Sequence, residues 1–183
     1  MRTSTLLLNL ILFASLLAGA SGAHAASAHE IDTNATAELN VLFERTPAAK
    51  ELAAQAKAIL IFPEIVKGGF IVGGQVGNGV LRQGGKSVSY HRSWAASYGL
   101  QAGVQSFGYV LMFMDDESLA YLKKSEGWEV GVGPSIVVVD EGMGKNLTST
   151  TLRKGVYAFI FGQKGLMAGL GIQGSKITTI EPD

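Results

Sequence analysis

The chain has 183 residues, 47% hydrophobic and 16% charged, with 15 basic residues balancing 15 acidic ones and no cysteine. An ordinary soluble domain carries about 25% charged residues, and a nucleic-acid protein carries a clear basic excess, so this balance argues against nucleic acid as a partner. The missing cysteines exclude disulfides, thiolate metal centres and cysteine nucleophiles.

The first element is expected to be lost. Arg2 supplies a short positive region, Leu6–Leu17 is apolar apart from Asn9 and Ser15, and Ala23-His24-Ala25 fits the small-residue cleavage rule. This predicts a signal peptide over 1–25, a mobile mature start over 26–33 and a single domain over 34–183. The apolar run is too short to span a bilayer. Leu17-Ala18-Gly19 opens like a bacterial lipoprotein signal, but Ala20 stands where the lipidated cysteine would be. The chain is therefore expected to be exported to the periplasm or envelope without a lipid anchor.

Ala35, Leu39, Leu42 and Phe43 follow a helical stripe, which predicts an amphipathic helix over Thr33–Arg45. Thr46-Pro47 reads as the cap and first residue of a second helix running to about Ala58, with Leu52, Ala56 and Ile59 on one face. From Ile59 the period changes to that of short antiparallel strands punctuated by glycine. They fall at Ile59–Phe62, Gly69–Val76, Val80–Arg82, Ser87–His91, Ser97–Gln105 and Tyr109–Met114. A helix over Asp116–Ser125, capped by Asp115, precedes strands at Trp128–Val139, Val156–Phe161 and Leu166–Ile180. The fold class is α+β: N-terminal helices packed on a strongly curved, mostly antiparallel, glycine-rich sheet of barrel-like form.

The glycines alternate with other residues. Gly73, Gln75 and Gly77 share one strand face, as do Gly99, Gln101, Gly103 and Gln105, then Gly131, Gly133 and Ser135, then Gly169, Gly171, Gln173 and Ser175. Leu100, Ala102 and Val104 occupy an opposite face. Such a face marks either a tightly curled sheet or a small-residue groove for a ligand chain, with Gly99, Gly103, Gly169 and Gly171 as the residues that would receive acyl groups.

Gly79 to Ser87 imitates a phosphate-binding loop, but Gly85 separates Gly84 from Lys86 and a strand pattern follows where a helix is needed. Gln83-Gly84-Gly85-Lys86 is a hairpin turn, and no nucleotide is expected to bind. The mature chain has two histidines, and His91 beside Arg92 is read as a sheet-surface residue. Hydrolase and zinc-protease motifs are missing, so neither enzyme activity nor a metal or cofactor is expected. Basic residues gather at Lys67, Arg82, Lys86 and Arg92, either as solvated surface or as a rim for anionic headgroups. Phe70, Tyr98, Phe107 and Trp128 suit the core, or a lipid interface if they lie at strand ends.

Four ordered blocks, "AKAILIFPEIVKGGFIVGGQVGNGVL", "SYGLQAGVQSFGYVLMFM", "GWEVGVGPSIVVVDEG" and "VYAFIFGQKGLMAGLGIQGSKIT", resemble the SYLF domain family. The resemblance runs from about Asn34 to Asp183 and implies a helix-plus-sheet domain that binds phospholipids; some fungal members also bind actin filaments. Eukaryotic members approach membranes with an N-terminal amphipathic helix. Here that segment carries Glu38 and Glu44 against Arg45, a poor match to an anionic surface. The expectation is a non-catalytic phospholipid-binding protein of the bacterial envelope, with a structural or protein-interaction module of the envelope as the alternative.

Overall fold

The computed structural model describes residues 26–124, 128–129, 136–139, 155–165 and 175–183. Helix α1 spans Ala28–Arg45, five residues more than the expected Thr33 start. Ser27-Ala28-His29-Glu30 is the reason. It is a capping pattern in which the Glu30 amide donates to Ser27 Oγ at 3.2 Å. Most of the segment expected to be mobile is thus helix. Helix α2 covers Pro47–Gln55 and stops short of Ala58, which already belongs to a strand. Proline at its first position sets φ and needs no donor, while Thr46 makes no side-chain capping bond.

The six short strands expected between Ile59 and Met114 are two long ones. Strand β1 is Ala58–Gln83 and strand β2 is Lys86–Phe113. They pair antiparallel from Ala58↔Phe113 to Gln83↔Lys86. The expected turn joins them: Gly84 and Gly85 have φ +57° and +78°, as a type I′ hairpin requires. Glycines and bulges made the ribbon look interrupted. Its register shifts at Phe62/Ile65, Phe70/Val72 and Leu81/Arg82, and each irregularity bends the strand and adds twist.

Helix α3, Asp116–Lys124, follows. Asp115 caps it as expected, accepting from the Ser118 amide at 2.7 Å. Its carboxylate also accepts from the Gly155 amide, which ties this turn to the next strand. Strands β3 (Trp128–Glu129), β4 (Ile136–Val139), β5 (Val156–Gly165) and β6 (Lys176–Ile180) complete the described chain. The rest of the expected Trp128–Val139 strand, at 130–135, and of Leu166–Ile180, at 166–174, lies outside the described residues.

Strand β2 organises the sheet. One edge carries β1 along its length; the other carries β6 at Tyr90–Trp94 and β5 at Gln105–Phe113. Strand β3 pairs with β6, and β4 joins β5 in parallel. This six-stranded sheet is not closed among the described residues, so the structure gives strong curvature without a barrel. The curvature is visible in one strand. A Cβ on Gly79 would lie 2.5 Å from the Ile61 carbonyl oxygen, and one on Gly77 would lie 2.5 Å from that of Glu64. The far half of β1 therefore packs on its own near half, at positions where only glycine leaves room.

The ribbon buries side chains on both faces. On one, α1 and α2 bring Ile31, Ala35, Leu42 and Leu52 against Ile61, Val80, Val110 and Met112. On the other, Leu119 and Leu122 of α3 join Leu60, Phe62, Leu81, Leu111 and Phe113. Here the glycine–glutamine pattern has an unexpected orientation. Gln75, His91, Ser93 and Gln105 are buried, whereas Val66, Val76, Trp94 and Val104 are exposed.

His91 is therefore not the surface residue expected from sequence; it is 4% exposed. Its Nε2 lies 2.9 Å from Ser89 Oγ, while Nδ1 has no partner among the described residues. Burial pushes its pKa down from the ordinary 6.5 to about 4. Between these values the unfolded chain takes up a proton that the folded chain refuses, so stability falls as pH drops through this window. Lowering pH from 7 to 5 is expected to cost about 2 kcal/mol through this group. Urea unfolding at both pH values should show the His91→Gln loss to be smaller than the wild-type loss by that amount. Equal losses would remove His91 as the cause.

Candidate functional site

The structure separates the four expected basic residues. Arg82, Lys86 and Arg92 lie near the tip of the β1–β2 hairpin, but Lys67 stands opposite Gln105 in the other half of the ribbon. Arg82 is committed to the fold. Its Nη2 contacts Asp32 Oδ1 at 3.2 Å, the Asp32 carbonyl oxygen at 2.9 Å and Thr36 Oγ1 at 2.8 Å. Arg92 donates to Asn78 Oδ1 at 2.9 Å and is half-buried, while Lys86 is exposed beside the turn. A single four-residue rim does not form. Of the expected small-residue groove, Gly103 pairs with Gly69, and Gly99 falls in the stretch of β2 between Tyr98 and Ala102 that has no partner on β1 among the described residues. Gly169 and Gly171 lie outside the described residues.

Two surfaces come forward that the sequence reading did not assemble. The first is a row across three strands. Trp94 of β2 pairs with Val76 of β1 on one side and Lys176 of β6 on the other. Directly paired residues point to the same face, so valine, tryptophan and lysine stand side by side. Glu129 occupies the next register position, on β3. Arg92 lies two residues from Trp94 and so shares its face, between Asn78 and Thr178. Trp94 is 44% exposed and Val76 50%. Tyr90, two residues beyond Arg92, packs into the α1 side and donates to Asp32 Oδ2 at 2.7 Å. Helix α1 thus covers the row at Tyr90 and leaves the row at Trp94 open. Val66 and Val104 are also exposed, and Lys67, whose neighbours alternate with them, belongs to the opposite face.

The second surface is a groove of about 410 Å³ between α1 and the sheet. Asn34, Ala37, Glu38, Val41 and Arg45 overhang it, and Ser106, Phe107 and Gly108 of β2 form its floor. Pro63 and Glu64 of β1 flank the floor on one side, Gly162 and Lys164 of β5 on the other. Both flanks are bulged: β1–β2 shifts register between Phe62 and Ile65, and β2–β5 between Ser106 and Gly108. Bulges re-aim side chains and open the ladder. Gly162, at φ +63°, makes the β5 bulge in a conformation that other residues rarely adopt. Its Cα hydrogen points towards Glu38, whose Oε2 would be 4.0 Å from a Cβ placed there. The Phe161 ring fills the space that a Gly108 side chain would need.

Trp94 was legible as an exposed aromatic only through its alternation with Ser93 and Ala95 and its shared parity with Arg92. The groove had no local signal, since its residues come from four separate elements. Among the described residues no group of three His, Asp or Glu side chains is placed to hold a metal ion. None of the described helices is long and apolar enough to cross a membrane.

These features define a small α+β domain whose distinguishing parts are surfaces: an outward apolar–basic sheet face and a charged groove under a helix. Residues 94–182 match the Ysc84 family model, described as Las17-binding protein actin regulator. That segment, a little under half of the chain, contains Trp94, Lys164 and Lys176, and the match is consistent with a SYLF domain family protein. A search of curated proteins finds no match.

Proposed function

We propose that the protein is a non-catalytic phospholipid-binding module of the bacterial cell envelope, exported by the 1–25 signal peptide and not lipidated. The observation that carries the lipid reading is the outward row Val76–Trp94–Lys176 with Arg92 beside it. Tryptophan suits the boundary between headgroups and acyl chains, where its ring is apolar and its N–H stays wet. Flanking cations add about 1 kcal/mol each near an anionic surface. Lys86 at the hairpin tip adds another cation without being tied to the fold. Arg82 is removed from the expected rim because its charge is neutralised by Asp32. Docking by the sheet rather than by the N-terminal helix also accounts for the acidic Glu38 and Glu44 on α1.

Sedimentation with anionic phospholipid vesicles tests this reading. Combined Arg92→Glu and Lys176→Glu substitution is expected to reduce partitioning by at least about tenfold, and added salt should weaken the wild type in the same direction. Trp94→Ser should weaken partitioning while leaving the salt dependence in place. Unchanged binding by both folded variants would exclude this face. The family description favours one rival, a protein partner docked on the same surface. In that case wild-type protein would fail to sediment with vesicles at any salt concentration.

A further inference from the structure

The groove under α1 holds four charged side chains, two acidic and two basic: Glu38, Glu64, Arg45 and Lys164. None of them is engaged in an ion pair; the pairs found among the described residues are Lys57–Asp116 and Arg82–Asp32. Opposite charges lining one cleft would ordinarily close on each other. Here no opposite pair among them comes within ion-pair distance. Glu38 and Arg45 stand two turns apart on α1, about 10 Å along its axis. Glu64 and Lys164 lie on the strands either side of β2, each at or next to a bulge. The four charges sum to zero, so a simple anion or cation gains from one pair what it loses to the other. A ligand carrying both signs gains from both.

We infer that this groove binds a zwitterion in which an ammonium is joined to a phosphate by a short linker. Glu38, whose carboxylate lies towards Gly162 on the β5 flank, would take the ammonium, which has three donors to place. Arg45 and Lys164 would approach the phosphate from the helix and from the sheet, the guanidinium as a fork and the ammonium as a point charge. Val41, Ala37 and Pro63 supply apolar wall for the linker, and about 410 Å³ is within the range of small-molecule sites. This chemistry is shared by a soluble glycerophospho-amine and by the head of a zwitterionic phospholipid. The inference rests on the groove alone and stands or falls separately from the Trp94 face.

Calorimetric titration with glycerophosphoethanolamine tests it. Saturable binding at one site per chain is expected, with ethanolamine alone and glycerol phosphate alone each at least about tenfold weaker. Glu38→Gln and Lys164→Met should each weaken the zwitterion about tenfold, and Lys124→Ala on α3 should leave it unchanged. All three positions are solvent-accessible, and thermal melts would verify that the variants fold. Competition by vesicles containing phosphatidylethanolamine assigns the ligand to a lipid head, and failure to compete assigns it to a free solute; either outcome supports the shared chemistry. No saturable binding of glycerophosphoethanolamine, or binding indifferent to both groove substitutions, overturns the proposal.

Discussion

Gly79→Ala is expected to destabilise the protein by about 3 kcal/mol, at the upper end of overpacking costs, because the added methyl group meets backbone. A Cβ at Gly79 would lie 2.5 Å from the Ile61 carbonyl oxygen and 2.5 Å from Phe62 Cδ1. The ring could rotate away, but the carbonyl belongs to a strand whose bonds to β2 would have to move with it. Gly68→Ala provides the comparison within the same strand. Its nearest neighbours would be Val104 Cγ2 at 3.7 Å and the Gly103 carbonyl oxygen at 3.8 Å, ordinary contact distances. Gly68→Ala should therefore be nearly neutral, within about 1 kcal/mol, since it also removes chain entropy from the unfolded state. Denaturant midpoints for the two variants decide the matter. Equal midpoints would show that the ribbon does not fold back on itself at Gly79.

Loss of the Asp32 carboxylate should have an effect of similar size. Asp32 accepts from the Ser87 hydroxyl, from Tyr90 Oη at 2.7 Å and from Arg82 Nη2 at 3.2 Å. These bonds bind the first turns of α1 to both strands at the hairpin tip. Lys123 of α3 holds the same tip through Gln83 Oε1 at 3.2 Å. Asp32→Ala leaves the half-buried guanidinium of Arg82 without its counter-ion and should cost about 3 kcal/mol, the value of one or two charge-assisted hydrogen bonds. Desolvation raises the Asp32 pKa, but the hydrogen bonds from Ser87, Tyr90 and Arg82 outweigh it and hold the group below its usual 3.8. The same bond raises the pKa of Tyr90. The stabilisation from Asp32 is therefore complete above the unfolded value near 3.8 and is lost as pH falls through the lower folded value. A double-mutant cycle with Tyr90→Phe should show coupling above about 0.5 kcal/mol, whereas independent effects would simply add. An additive cycle would mean that the tip is held by other contacts.

The two acid-sensitive groups act in different windows. His91 destabilises the fold between about pH 6.5 and pH 4, and Asp32 only below that. Arg82 shows why a sequence cluster of cations is a poor guide to a binding rim. Counting it as a lipid contact would have led to a charge reversal beside Asp32, and the loss of vesicle binding would then have reported unfolding.

Much of the local structure was legible because it depends on short-range chemistry. The Gln83–Lys86 turn follows from two glycines between alternating strands, and the α3 cap from Asp115 standing before a helical stripe. The Ser27–Glu30 cap was equally present and passed over, which placed the start of α1 too late. Strand ends were misplaced for a different reason. Glycines and bulges resemble chain breaks when pairing partners are unknown, yet β2 crosses Gly99 and Gly103 without leaving the sheet.

By itself the sequence determined the helix-then-sheet order, the hairpin, the absence of cysteine chemistry and the family resemblance borne out over residues 94–182. Each depends on residue type and on spacing within a few positions. Only the tertiary structure decided which face of the ribbon turns inward. Alternation places Gln75, Gly77 and Gly79 together, but the fold-back of β1 makes their face the inner one, because a backbone passing that close admits no larger side chain. The same bend leaves Val76 and Trp94 outside, pairs Arg82 with Asp32 fifty positions away, and gathers Glu38, Glu64, Arg45 and Lys164 around one groove. Such contacts join residues far apart in the chain, and the bend that creates them is the sum of several bulges and glycines acting on one long ribbon.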